Sequence, residues 1–192
     1  MIRFNHRKSV QALNLFAQLQ GGSINKMKAI KLFWLADRLH LRKYGRTISG
    51  DNYFALKHGP VPSGTRNILE QVADRLEQPI LNYSNEYLQA NGRRYNSLKE
   101  ANKKVFSKTD LEALNKVFET YGHLNQFQIR DISHEFPEWK KWEEGLENNW
   151  YKSHPMDLKD FFEDAGDKHP IFKDDEESLK LVEKLFIRED KD

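Results

Sequence analysis

The sequence contains no cysteine. That excludes disulfides, thiol catalysis and any metal site built on thiolates, and it fits a reducing compartment. Long hydrophobic runs are also missing. The longest aliphatic and aromatic stretch, residues 32–36, is far too short to cross a bilayer. The opening residues, MIRFNHRKSV, lack the apolar segment of a secretory leader. A cytoplasmic protein with no membrane partner is therefore expected. Absent too are a GxxxxGK[ST] phosphate loop, a GxGxxG turn, an HExxH helix and a GxSxG nucleophile elbow. These absences argue against an enzyme, and no catalytic residue, metal or cofactor is assigned.

What is present suffices for one buried core under a solvated surface: 192 residues, 38% hydrophobic and 31% charged. The net charge of +2 hides an asymmetry. Residues 1–104 hold 18 Lys and Arg against 7 Asp and Glu, whereas residues 105–192 hold 13 against 22. Either a basic face awaits an acidic partner, protein or nucleic acid, or the two halves neutralise each other in the fold.

Apolar spacing predicts a helix over 7–19, closed by Gly21-Gly22, and a second over 25–44 with Ser23 or Asn25 as cap and Gly45 just past its end. On this second helix Lys28, Lys31, Arg38 and Arg42 share one narrow sector, and nearly all the rest is apolar, the pattern of a central, buried helix. Residues 52–58 read as an aromatic strand. A helix follows from Pro62-Ser63 to about Leu76, stopped by Pro79. Asn91-Gly92 marks a hairpin between 87–90 and 94–98. Further helices are expected over 107–121, 126–135, 156–163 and 176–188, with solvated charged segments at 174–177 and 188–192. The expected fold is mainly α (α+β): a compact helical domain over 1–173 with a small antiparallel sheet or hairpin, and a charged C-terminal helix or tail over 174–192.

Residues 31–64, KLFWLADRLHLRKYGRTISGDNYFALKHGPVPSG, carry most of the information. Asp37 lies on the apolar side of the helix, where a carboxylate is costly unless hydrogen bonds or a cation satisfy it. It is either a site residue or a tie for the amides of the following loop, or it pairs with a cation such as Lys57. Asp37 and His40 stand at i,i+3, as two metal ligands on one face do, but no third ligand follows at a telling spacing, for His40, His58 or His134 alike. Gly45, Gly50 and Gly59 suit positive φ at turns. Gly59-Pro60-Val61-Pro62 fixes φ twice, as a rigid connector or as a preorganised loop presenting Val61 to a partner. Lys28, Lys31, Arg38 and Arg42, with Arg3, Arg7, Lys8, Arg93 and Arg94, form either a phosphate-contacting set or a solvated face. The helices at 7–19 and 25–44 loosely resemble a helix-turn-helix, although the second is too apolar to read a DNA groove.

Three elements of this block resemble the Panacea, or SocA-like, antitoxin family: Leu35-Ala36-Asp37-Arg38, the turn Gly45-Arg46-Thr47-Ile48-Ser49-Gly50-Asp51, and the junction from Ala55 to Ser63. Downstream, Ile132-Ser133-His134-Glu135 with Pro137 and Trp139 resembles the family's later element. The similarity spans about residues 8–165. It departs at Gly64-Thr65-Arg66-Asn67, where the family often carries an aromatic, and it does not reach the helix after about 174. The resemblance implies an antitoxin that neutralises a cognate toxin by direct protein binding. A protease adaptor that delivers the toxin for degradation is an alternative, and a DNA-binding regulator of its own operon is another. The residues it singles out are Asp37, Arg38, His40 and Arg42 on the helix; Tyr44, Gly45, Arg46, Gly50, Asp51 and Tyr53 around the turn; Lys57, His58, Gly59, Pro60, Val61 and Pro62 at the junction; and His134 and Trp139 downstream.

Overall fold

A computed structural model describes residues 4–71 and 73–189. Arg3, Val72 and the last three residues lie outside them. The chain winds around its second helix. Helix α1 (His6–Leu19) is capped by the Asn5 side chain and leads through Gly21 and Gly22, both at positive φ, to a three-residue strand β1 (Ser23–Asn25). Helix α2 (Lys26–Tyr44) starts on the Asn25 side chain, which accepts the Lys28 amide at 3.2 Å. It ends on Gly45 at φ 71°, a conformation that costs a glycine least. Every residue from Lys28 to Arg42 is buried.

Strands β2 (Tyr53–Leu56) and β3 (Gly59–Pro62) form a tight hairpin, followed by α3 (Ser63–Glu70). After a 3-10 turn over 73–75 come α4 (Gln78–Tyr87), β4 (Leu88–Asn91) and β5 (Arg94–Ser97). Helix α5 (Lys108–Tyr121) opens with a capping box in which Ser107 and Asp110 satisfy each other's amides. Then follow α6 (Gln126–Ser133), α7 (Pro137–Lys140), α8 (Glu143–Glu147), β6 (Ser153–Pro155), 3-10 turns over 158–162 and 170–172, and α9 (Glu176–Glu189).

The described residues form two small antiparallel sheets, ordered β1-β5-β4 and β3-β2-β6, on a mainly α-helical body. Trp34 of α2 marks the centre of the core, edge-on to Phe136 at 4.9 Å and to Phe161 at 6.5 Å. Each such fully buried large side chain contributes roughly 2–3 kcal/mol. No helix among the described residues is long and apolar enough to cross a membrane.

Several local expectations need correcting. The helix from Ser63 ends at Glu70, where Gln71 turns left-handed at φ 48°. Pro79 does not stop a helix; it stands in the first turn of α4, where its missing N–H costs nothing. Gly59-Pro60-Val61-Pro62 is itself a strand. Its prolines are tolerated because β3 is an edge strand, with one side free of ladder bonds. Residues 156–163 hold a 3-10 turn after β6 rather than an α-helix, and β1 and β6, three residues each, gave no periodic signal. The expected C-terminal helix is present as α9 and packs on the body: Asp174 just before it pairs with Arg42 at 2.8 Å, and Phe186 is buried.

Candidate partner-binding groove

The polar residues of α2 build the frame of the site. Asp37 is fully buried and accepts four hydrogen bonds: from the Ile48 amide (2.6 Å), the Ser49 amide (3.1 Å), Ser49 Oγ (2.6 Å) and Tyr53 Oη (2.5 Å). It ties the 47–53 loop to the helix. Burial pushes its carboxyl up to about 6 against those bonds. Lys57 is not its partner; Lys57 reaches Glu147 at 3.6 Å on the surface. Asp51 repeats the device one turn on. It accepts the Gly64 and Thr65 amides at 2.7 Å each and Thr65 Oγ1 at 2.8 Å, so a side chain from the loop caps the start of α3. Burial raises its carboxyl as well.

His40 turns away from Asp37, so the two do not form a ligand pair. Its Nδ1 meets the Arg46 carbonyl at 2.8 Å and its Nε2 lies 3.1 Å from Asp110. Lys8 (2.6 Å) and Arg46 (2.9 Å) converge on the same carboxylate. Burial alone would raise Asp110, yet the hydrogen bonds from His40, Lys8 and the Ser107 amide hold it well below the usual carboxylate range. Among the described residues no group of three or more His, Asp or Glu side chains is placed to hold a metal ion.

The expectation of an exposed basic face on this helix is overturned: Lys28, Lys31, Arg38 and Arg42 are all buried. The fold covers their sector with the β2–β3 hairpin and the 122–174 segment. Arg38 pairs with buried Glu138 at 2.7 Å, donates to the Glu163 carbonyl at 2.7 Å, and lies over the Phe136 and Phe172 rings. Arg42 donates to the carbonyls of Phe161, Phe162, Glu163 and Phe172 and pairs with Asp174. Lys28 donates to the Gly122 carbonyl at 2.6 Å. Lys31 Nζ donates to the Pro60 carbonyl at 2.6 Å, and burial, with the Arg130 charge, keeps its ammonium well below the usual lysine range. Charge asymmetry between the halves is thus partly consumed inside the fold, through Lys8, Arg46, Arg38 and Arg42.

The downstream residues meet the hairpin. Trp139 is fully buried and its Nε1 donates to the Leu56 carbonyl at 2.8 Å. His134 stacks on Trp139 with centroids 3.7 Å apart, and burial, then the charges of Lys31 and Arg130, push its pKa down to about 4. The imidazole is therefore neutral at pH 7. Gly59, at φ 92°, packs so closely that a Cβ there would run into Ser133 Oγ, come within 2.7 Å of Lys31 Nζ and lie 3.2 Å from the His134 ring. The two motifs, some seventy residues apart on the chain, form one clamp on the β2–β3 tip.

Beside that tip opens a groove of about 590 Å³. Its floor is apolar: Met27, Ile30, Leu56, Val61, Leu69 and Phe127. Its rim is basic: Lys26, Lys57, Arg66, Arg93 and Lys152, against the single acid Glu70, which Arg66 pairs at 2.8 Å. Lys26, Arg93 and Lys152 have no carboxylate partner among the described residues. Phe127 is 51% exposed. Of the residues singled out from the sequence, Lys57, His58 and Val61 line the groove directly, and Val61 does so from a buried position. Gly59, Pro60, His134 and Trp139 hold its wall from behind. Asp37, Arg38, His40, Arg42, Arg46 and Tyr53 are scaffold, and Tyr44, half exposed beside Glu112, stands elsewhere. Sequence reasoning missed Met27, Ile30, Leu69, Phe127 and Lys152 as site residues. Only Phe127 carried a signal, being the aromatic that falls off the buried Ile129 face of its helix.

A family model described as antitoxin SocA-like, Panacea domain, matches residues 30–140, more than half of the chain. Among curated proteins and among solved structures, none matches.

Proposed function

The chain belongs to the SocA-like Panacea antitoxin family, and on that premise we propose that it acts in the cytoplasm as an antitoxin, neutralising a cognate toxin by direct protein–protein binding. Family membership supports a toxin–antitoxin role in general and suggests a non-enzymatic one. The observation that carries the finer reading is the groove. It is a concave, half-apolar surface at the junction of the two family motifs, fixed in shape by Trp139, Gly59 and Lys31 before any partner arrives. Preorganisation of this kind lowers the ordering cost of association. Asp37 and Arg42, polar groups of α2 that would suit catalysis, are instead buried and engaged with backbone amides, carbonyls and neighbouring side chains.

A protease adaptor would use the same surface, with a third partner elsewhere. DNA binding through α2 is disfavoured because that helix has no solvated face to lay in a groove. The test is co-expression with the protein encoded beside its gene. A neutraliser copurifies with that protein and restores growth, and it still does so in cells lacking their ATP-dependent proteases. Rescue that vanishes with a protease identifies the adaptor. Neither complex nor rescue overturns both.

A further inference from the structure

We infer that the groove seats an acidic amphipathic helix of the partner, held by side chains in the apolar floor and by carboxylates against the basic rim. This rests on the reading of the chain as a protein-binding antitoxin.

Charge complementarity fixes the sign of the occupant. Of the five cations around the floor, Arg66 pairs with the one acid among them and Lys57 with Glu147, which leaves Lys26, Arg93 and Lys152 without a carboxylate among the described residues. Opposite charges at a rim steer encounter and reject wrong partners. The floor argues for a protein rather than a phosphate backbone. Met27, Ile30, Leu56, Val61, Leu69 and Phe127 offer a phosphate backbone nothing but desolvation, whereas they match the anchors of an amphipathic helix at i, i+3, i+4 and i+7. The volume of about 590 Å³ has room for a few large side chains.

Backbone chemistry decides against the other common mode, strand addition. Two edge strands border the groove: β1, only three residues long and touching it through Asn25 alone, and the longer β3. Pro60 and Pro62 have no amide hydrogen to offer a new strand. The Pro60 carbonyl is taken by Lys31 Nζ, and the next amide, Ser63, already donates to the Asn52 carbonyl at 2.8 Å. With β3 lacking free amide donors and β1 too short to template a strand, recognition is left to side chains, and that is the helix-in-groove mode.

The experiment uses the full chain and three designed peptides of roughly fourteen residues, about four helical turns. One has leucines at helical spacing among glutamates, one has the same leucines among lysines, and one has glutamates alternating with valines at strand spacing. Fluorescence anisotropy is expected to show the glutamate helix binding at least tenfold tighter than either other peptide, with helical circular dichroism rising on mixing. Arg93→Glu and Phe127→Glu each weaken it at least tenfold, and each abolishes copurification of the toxin. Tighter binding of the alternating peptide, or displacement of the helix by duplex DNA at lower concentration, overturns the inference. So does a toxin complex that survives both substitutions, and in that case the antitoxin reading stands. A chain that binds the glutamate helix but no toxin leaves the groove chemistry intact and sinks the antitoxin reading.

Discussion

Toward the C-terminal end of α2, Arg38 and Arg42 are buried and direct their donors to Glu138, Asp174 and a row of backbone carbonyls. Around its N-terminal end, Lys26, Arg93 and Lys152 stand at the rim of an apolar groove with no carboxylate beside them among the described residues. The charge is the same and the roles are opposite. Burial is what separates them: a buried cation must be answered within the chain, while a rim cation is free to meet another molecule. The scaffold is expected to respond to mutation through stability, and the groove through binding.

The largest effect should come from Glu138→Ala, which strands the Arg38 guanidinium in the core. A loss of about 3–5 kcal/mol is expected from chemical denaturation. A variant as stable as the parent would break the division between the two regions. Next is Asp37. Its folded pKa, raised to about 6 from 3.8, means that the native state holds this proton where the unfolded chain has released it. Asp37 therefore contributes stability that is fully present below pH 3.8 and lost as pH rises through 6, about 3 kcal/mol in all. Asp110, with its depressed pKa, acts in the opposite sense and loses its contribution as pH falls. The difference in unfolding free energy between Asp37→Asn and the parent, followed from pH 4 to 7, should isolate the first trend. A flat difference would remove Asp37 from the frame.

Gly59→Ala bridges the two regions. Positive φ and the approach to Lys31 Nζ should cost about 1–3 kcal/mol and weaken toxin binding together. If binding is untouched, the clamp does not shape the groove. The smallest effect on stability belongs to Arg93→Glu and Phe127→Glu, within about 0.5 kcal/mol by thermal melts. A large drop there would mean that the rim is structural after all.

Much of this was legible in the sequence. The all-round apolar character of α2, its Asn25 and Gly45 ends, and the Asn91-Gly92 turn each rest on a local rule, and each stands in the fold. Asp37 announced itself by lying on an apolar face, and one of its expected jobs, holding loop amides, is the observed one. Four cations in one sector of a helix looked like a solvated face because sequence cannot show that residues a hundred positions later cover it. The groove was hidden for a related reason. Met27, Val61, Leu69, Phe127 and Lys152 come from separate elements, and no spacing rule links them. Strand β3 was hidden by its prolines, which usually argue against a strand and here only mark an edge.

The partners of Arg38 and Arg42 have a consequence for how the chain is made. Glu138 follows Arg38 by 100 residues, and Asp174 follows Arg42 by 132. Ribosomes deliver the helix first and its counterions later. Until residue 138 has emerged, α2 holds two unanswered guanidiniums on the side that will become the core, and Arg42 waits for its carboxylate until residue 174. Closure of the domain thereby waits for residues 138 and 174. A chain that stops before 138 lacks the carboxylates that answer both guanidiniums.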